Sequence, residues 1–299
     1  MAVTKFAALF AAALLAAPLT AAPMPQPVAP EARWVAVGAL RVAALHDTDF
    51  LIPNDGGTFG VDAGVPAVTA VLAAAGAPTD TVRVGVNALL VELPGHFVLI
   101  DTGVGVAASQ LMPSLTAAGV KPGDVTDVLI THSHGDHVGG LITSDGAQAF
   151  PNAKVRMSAA EWTFLQANTG AAKLVAAITP QVATFTPGTM VVPGITAMSI
   201  PGHTPGHVAY EIVSGKVRLL DIGDTAHSTI VSLAKPDWSM GFDSDKALGK
   251  VSRRAELTRL AASHEMIFAP HFPYPGVGTI AAKGDGFIWV PAAAGSFTN

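Results

Sequence analysis

Directly after the apolar run Val128-Leu129-Ile130 the chain reads Thr131-His132-Ser133-His134-Gly135-Asp136-His137-Val138-Gly139-Gly140. Three imidazoles and a carboxylate between residues 132 and 137, on a loop fed by a buried strand, constrain the fold more than any other feature. His132 and His134 stand two apart, so a turn with small neighbours can aim both at one ion. Asp136 and His137 are adjacent and must diverge, which suits a second ion beside the first. Packing asks for none of this, and a solvated polar loop has no need of clustered imidazoles. The motif points to a two-metal hydrolase site.

The N-terminus reads as a segment outside the fold. Lys5 is followed by the apolar stretch Phe6 to Ala17 and then by the small residues Ala21 and Ala22, the pattern of a secretory signal. The stretch is shorter than the ~20 residues that span a bilayer. Residues 1–22 are expected to be cleaved, leaving an exported protein, periplasmic or extracellular, with no membrane segment in its mature form. Residues 23–32, with Pro23, Pro25, Pro27 and Pro30, read as a linker. Residues 33–299 read as one domain. Lys5 is the only charge in residues 1–22, so its removal takes the net charge from −5 to −6. With 17 Lys+Arg there is no basic stripe for a phosphate backbone, and nucleic acid is not an expected partner. Cysteine is absent, so stability must come from the core, and thiolates leave the list of ligands and nucleophiles.

The rest of the chain alternates strands with helices. Strands are expected at 82–93, 97–100, 128–130, 191–192, 195–200, 208–213, 217–222, 266–269 and 287–290. Helices are expected at 107–118, at 159–167, and from a cap at Asp243 or Ser244 to about Ala262, with Leu248, Val251 and Ala255 on one face. This mixture indicates α/β architecture of the α+β kind, sheets covered by helices. Residues 51–80, rich in Gly and Pro, are expected to form a long loop with at most one short helix near Val68–Ala75, in the role of a lid.

Three further motifs follow strands. They are Pro201-Gly202-His203-Thr204-Pro205-Gly206-His207, then Asp221-Ile222-Gly223-Asp224-Thr225-Ala226-His227, then Ala269-Pro270-His271-Phe272-Pro273-Tyr274-Pro275-Gly276. Each is weak alone, and in this order after the first they are specific. The chain resembles the metallo-β-lactamase superfamily over residues 82–290. That resemblance implies a four-layer αβ/βα sandwich with metals along one sheet edge. It implies one ion on His132, His134 and His203, a second on Asp136, His137 and His271, and Asp224 bridging them. It also implies that Asp101, at a strand end, supports the histidine loop through hydrogen bonds, while Asp221 is structural.

Imidazole and carboxylate ligands suit two Zn²⁺ ions first, with Mn²⁺, Co²⁺ or Fe²⁺ as alternatives. Such a pair activates water for metal-assisted hydrolysis, with Asp136 and Asp224 in the catalytic set. Within the superfamily the chain is most similar to methyl parathion hydrolase-like and lactonase-like proteins, through residues 223–227, 242–245 and 271–278. The implied substrate is a small neutral ester, lactone or phosphotriester, and a homodimer is one arrangement left open. β-Lactamases with a cysteine ligand are excluded by composition. Glyoxalase-II-like thioesterases hold their substrate with basic residues near the C-terminus, where Lys283 alone is basic in residues 272–299. Bacillus-type homoserine lactonases place a tyrosine three residues after the bridging aspartate, and this chain has His227 there. His227 is either a hydrogen-bond donor to substrate or a wall residue. Phe272 and Tyr274, beside His271, are expected to line the pocket. The rival readings outside hydrolysis are a mononuclear iron persulfide dioxygenase and a non-catalytic metal-binding protein.

Overall fold

A computed structural model describes residues 23–105 and 107–298, so the expected signal segment lies outside the described residues. The strands, in chain order, are β1 (Met24–Gln26), β2 (Ala32–Val37), β3 (Leu40–Pro53), β4 (Thr81–Leu93), β5 (His96–Ile100), β6 (Val125–Leu129), β7 (Lys154–Ser158), β8 (Val182–Phe185), β9 (Met190–Val192), β10 (Ile195–Ser199), β11 (Val208–Ser214), β12 (Val217–Asp221), β13 (Met266–Phe268), β14 (Val277–Lys283), β15 (Gly286–Pro291) and β16 (Phe297–Thr298). The helices are α1 (Val65–Ala74), α2 (Leu111–Ala117), α3 (Gly135–Val138), α4 (Ala159–Ala167), α5 (Ala172–Ile178), α6 (Val231–Ala234) and α7 (Lys246–Ser263). One sheet runs β16-β2-β3-β4-β5-β6-β7-β8, with β1 added to β3, and the other runs β15-β14-β13-β12-β11-β10-β9.

Strand periodicity builds the layers. On β4, Leu89 and Val91 enter an inter-sheet core with Ile195, Ala197, Tyr210, Leu219 and Phe268. Their neighbours Ala88 and Leu90 enter an outer core with Leu111 and Leu115 of α2, Leu165 of α4 and Ile178 of α5. Successive side chains on a strand face opposite ways, so a strand covered on both sides must be apolar throughout. The second sheet repeats this, with Ala209, Leu220 and Ile267 turned toward Leu257 and Leu260 of α7. Each fully buried Leu or Ile stabilises this arrangement by roughly 1.5–3 kcal/mol. The result is the expected αβ/βα sandwich.

Four expectations need correction. The segment at 23–32 is more than a linker: β1 pairs antiparallel with β3, Pro25 opposite Phe50. Residues 51–80 are anchored as well, with β3 running to Pro53. Phe59, Val68 and Leu72 pack with Ile52, Val231 and Met240 in a core of their own, which ties this segment to the rest of the fold. The helix expected from Ala107 begins at Leu111. The buried Asp47 carboxylate accepts the Val104 and Leu111 N–H groups at 2.8 and 2.9 Å and the Ser109 hydroxyl, holding residues 107–110 as a loop. Helix α7 is capped by Asp245, which accepts the Leu248 N–H at 3.0 Å. Its buried face carries Gly249, Arg253, Leu257 and Leu260, while Val251 is 65% exposed and Leu248 40%. A buried arginine breaks the apolar stripe on which the sequence reading relied.

Candidate metal centre

Strand ends collect the donors. β5 and β6 run parallel with Ile100 beside Leu129, which brings Asp101 next to Thr131 at the start of the histidine loop. β12 and β13 also run parallel, with Asp221 beside Phe268, so the loops carrying Asp224 and His271 leave the second sheet side by side. The loop after β10 delivers His203. All seven side chains named from the motifs converge there.

His203 Nε2 lies 3.2 Å from His132 Nε2 and 2.9 Å from His134 Nδ1, and the last two are 3.1 Å apart. Asp224 Oδ2 stands 3.1 Å from His203 Nε2 and 3.5 Å from His132 Nε2. On the other side, His137 Nε2 and His271 Nε2 are 3.4 Å apart, and Asp136 Oδ2 lies 3.8 and 3.7 Å from them. Asp224 reaches this group too, with Oδ1 3.1 Å from His137 Nε2 and Oδ2 3.0 Å from His271 Nε2. His132, His134, His203 and Asp224 thus offer donor atoms all within 4.8 Å of one another, and so do Asp136, His137 and His271.

The donor set fits two metal ions. Nitrogens on one tetrahedral zinc stand about 3.3 Å apart, given metal–nitrogen distances near 2.0–2.1 Å. Three imidazole nitrogens converging at such spacing cannot all satisfy one another as donors and acceptors. Asp224 Oδ1 is buried and, although 3.1 Å from His137 Nε2, makes no well-aligned hydrogen bond among the described residues, which is costly unless a cation meets it.

The remaining ring nitrogens are already engaged, which fixes tautomer and orientation. His137 Nδ1 donates to Asp101 Oδ2 at 2.7 Å, and Asp101 also accepts the Thr131 N–H and hydroxyl at 2.8 and 2.7 Å. Asp101 thus occupies the supporting place that the sequence resemblance implies. His271 Nδ1 donates to the Gly85 carbonyl at 2.7 Å, and His203 Nδ1 to Asp243 Oδ1 at 3.0 Å. Asp243 is in turn held by Arg253 at 2.6 Å. His207 donates to the Ile200 carbonyl and accepts the Asp224 N–H at 2.9 Å, seating the backbone of the central carboxylate. Gly223, at φ 47°, leaves room for that ring, since a Cβ there would lie 2.6 Å from His207 Nε2.

Charge and burial shape the titration. Burial and neighbouring rings hold His132 well below the usual histidine range and His134 at about 4. Burial would raise Asp224, but His137, His271 and His132 outweigh it and hold the carboxyl well below the usual range. Burial would lower His137, His203 and His271 too, but Asp224 and the neighbouring carboxylates outweigh it and raise all three, so a cation there would displace their protons to gain neutral imidazole ligands.

Sequence reasoning missed Glu161. It is fully buried and accepts the Ser133 N–H and hydroxyl on one oxygen, at 2.7 and 2.6 Å. Its other oxygen accepts the Thr204 hydroxyl at 2.7 Å and the Gly206 N–H at 3.1 Å, so one carboxylate ties the His132–His134 loop to the His203 loop. The spacing Ser158-x-x-Glu161 reads locally as a helix cap and conceals this role.

Above the donors opens a cavity of about 530 Å³, lined by Pro23, Pro25, Phe50, Ile52, Val84, Val104 and Phe242, with His134, Asp136, Asp224, His227 and His271 at its polar end. Phe272 and Tyr274 do not line it. Phe272 is fully buried against Trp289 beneath α7, and Tyr274 stacks on His46 and donates to the Ala44 carbonyl. The turn after His271 sends the two rings apart, Phe272 into the core beneath α7 and Tyr274 against the inter-sheet core. His227 does face the cavity, stacked on His271 at 5.0 Å, with its Nε2 3.0 Å from Asp224 Oδ2.

A four-layer sandwich with a carboxylate-bridged pair of donor clusters at the ends of its strands is the architecture of a dinuclear metallohydrolase. The chain belongs to the metallo-β-lactamase superfamily, whose family model matches residues 81–271. Among solved structures it is similar to AidC, a dizinc quorum-quenching lactonase in complex with a product, at 26% identity and TM-score 0.82, covering 88% of this chain and 98% of that one. It is also similar to the hydrolase AbOPH, at 27% identity and TM-score 0.80, covering 90% and 99%. An N-acyl homoserine lactonase of Bacillus cereus is 26% identical over 60% of this chain and 79% of its own length. The uncharacterized protein YobT of Bacillus subtilis (strain 168) is 33% identical over 42% of this chain, a match spanning 56% of that protein.

Proposed function

We propose that this chain is an exported dinuclear hydrolase of neutral esters and lactones, of the N-acyl homoserine lactone type, with phosphotriester hydrolysis as a second activity. The observation that carries this reading is the cavity: among the described residues its lining has seven apolar side chains and no Lys or Arg, with the donor cluster at its end. An anionic thioester such as a glutathione conjugate would find no cation in that lining. A neutral substrate with an apolar arm buries its arm and presents its carbonyl to the polar end.

His132, His134 and His203 would hold one ion, Asp136, His137 and His271 the other, with Asp224 between them. Two bound divalent cations supply an activated water near neutral pH and polarise the oxygen under attack. The protein's part is orientation and proton control. The hydrogen bonds from His137, His203 and His271 to Asp101, Asp243 and Gly85 keep the opposite ring nitrogens bare and aimed at the centre. Asp136, whose side chain is 29% exposed, is the carboxylate open to the cavity and positioned to accept a proton from water. His227 is placed to donate to the substrate carbonyl or to the departing alkoxide. The apolar walls exclude bulk water from these groups. Export is supported by the basic-then-apolar segment before Pro23.

The test is kcat/KM for N-hexanoyl homoserine lactone and for a paraoxon-type triester on one metal-replete sample. Lactone turnover exceeding triester turnover by orders of magnitude supports the reading. Triester turnover that matches or exceeds it makes organophosphate hydrolysis the main activity, and turnover of neither refutes the proposal.

A further inference from the structure

The wall nearest the N-terminus is made by a row of side chains across three strands. Pro25 of β1 pairs with Phe50 of β3, and Phe50 pairs with Val84 of β4. All three line the cavity, joined by Ile52, two residues along β3 and therefore on the same face, and by Pro23, which directly precedes β1. Val84 precedes Gly85, whose carbonyl holds His271 Nδ1 at 2.7 Å, so the row runs directly into the donor cluster. β1 is fastened where β2 has left the edge of β3: β2 pairs with Leu40 to Leu45, and β1 takes over at Asp49 to Leu51. The Thr48 hydroxyl donates to the Gln26 carbonyl at 3.2 Å. Prolines suit an edge strand because they block further pairing. That role does not require their rings to face a cavity, and here they do.

We infer that the strap at residues 23–27 is a specificity-determining wall, against which the apolar arm of the substrate lies while its carbonyl meets the donor cluster. The inference rests on the ester-hydrolase reading and deepens it, since it names the part of the chain that selects arm length. Proline rings add apolar surface without rotamer entropy to lose, which suits them to a rigid wall. Phe50 beneath them gives an arm the length of the three-strand row to cover.

The experiment compares the chain beginning at Pro23, the chain beginning at Val28, and Pro25→Gly in the longer form. Homologous butanoyl to decanoyl series of p-nitrophenyl esters and homoserine lactones are used. The readout is the ratio of kcat/KM for decanoyl over butanoyl. Removing the strap is expected to lower that ratio about tenfold, the contact of roughly two methylene groups, and Pro25→Gly about threefold. An unchanged ratio in a truncated protein of wild-type stability overturns the inference, as does an equal loss for both arm lengths. If the truncated chain does not fold, Pro25→Gly decides by the same ratio. If esters but no lactones are turned over and the ratio still shifts, the strap stands and the lactone assignment falls. If nothing is turned over, the calorimetric Kd ratio for the two lactones on wild type and Pro25→Gly decides: a shifted ratio supports the wall, and an unshifted one overturns it.

Discussion

Replacing Glu161 tests whether one buried carboxylate sets the spacing of the two histidine loops. In Glu161→Ala the Ser133 and Thr204 hydroxyls can turn elsewhere, but the Ser133 and Gly206 N–H groups lose the acceptor described above. A buried unsatisfied donor costs roughly 1–3 kcal/mol, and the vacated space adds a smaller cavity penalty. The expected loss is about 3–5 kcal/mol, a large part of the ~5–15 kcal/mol by which a domain is stable. Glu161→Gln keeps the shape and one good acceptor, but turns an amide NH₂ toward existing donors. It should cost about 1–3 kcal/mol. Urea unfolding of chelator-treated protein measures these losses without bound metal. Equilibrium metal competition measures the second effect: a displaced His203 loop should weaken binding at His132, His134 and His203 by roughly 10–100-fold. Stability of Glu161→Ala within about 0.5 kcal/mol of wild type, with unchanged metal affinity, would refute the reasoning.

Two further outcomes follow from the geometry. Asp224→Asn removes the central carboxylate shared by both donor groups, so metal analysis should show less than two ions per chain and turnover should fall at least ~100-fold, whereas full occupancy with full activity would dismiss the bridging role. Asp49 is held below the ordinary carboxylate range: burial would raise it, but hydrogen bonds from His46 and from Arg83 at 2.7 Å outweigh burial. A depressed folded-state pKa stabilises the fold above the unfolded value near 4 and ceases to do so as pH falls through the folded value. Arg83→Met should therefore cost stability at about pH 6 and very little at about pH 2.5, and parallel stability profiles for the two proteins would remove Asp49 from the acid response.

The chemistry of the centre was legible because a donor's identity and its place after an apolar strand are local properties. His132, His134, Asp136, His137, His203, Asp224 and His271 each sit in a loop that a buried strand announces, and the order of those loops carried the family resemblance. Strands such as β4, β5, β10, β11 and β12 were similarly readable, since alternation and turn residues act within a few positions, whereas β2, β3, β7 and β14 were not. Other features depended on partners far along the chain. Asp243 and Glu161 look like helix-capping residues, but the former meets His203 and Arg253 and the latter meets Ser133, Thr204 and Gly206. Nothing in local spacing tells a capping carboxylate from a strut.

The walls were decided by tertiary structure alone. Phe272 and Tyr274 adjoin a donor in sequence and still turn into the cores, whereas Pro23 and Pro25, more than a hundred residues before His132, form part of the cavity. The sequence by itself determined which atoms could hold ions and which strands would present them, because ligand type and strand period are written residue by residue. Which apolar side chains enclose the substrate was settled only by sheet register, because a strand's face acquires meaning from what packs against it.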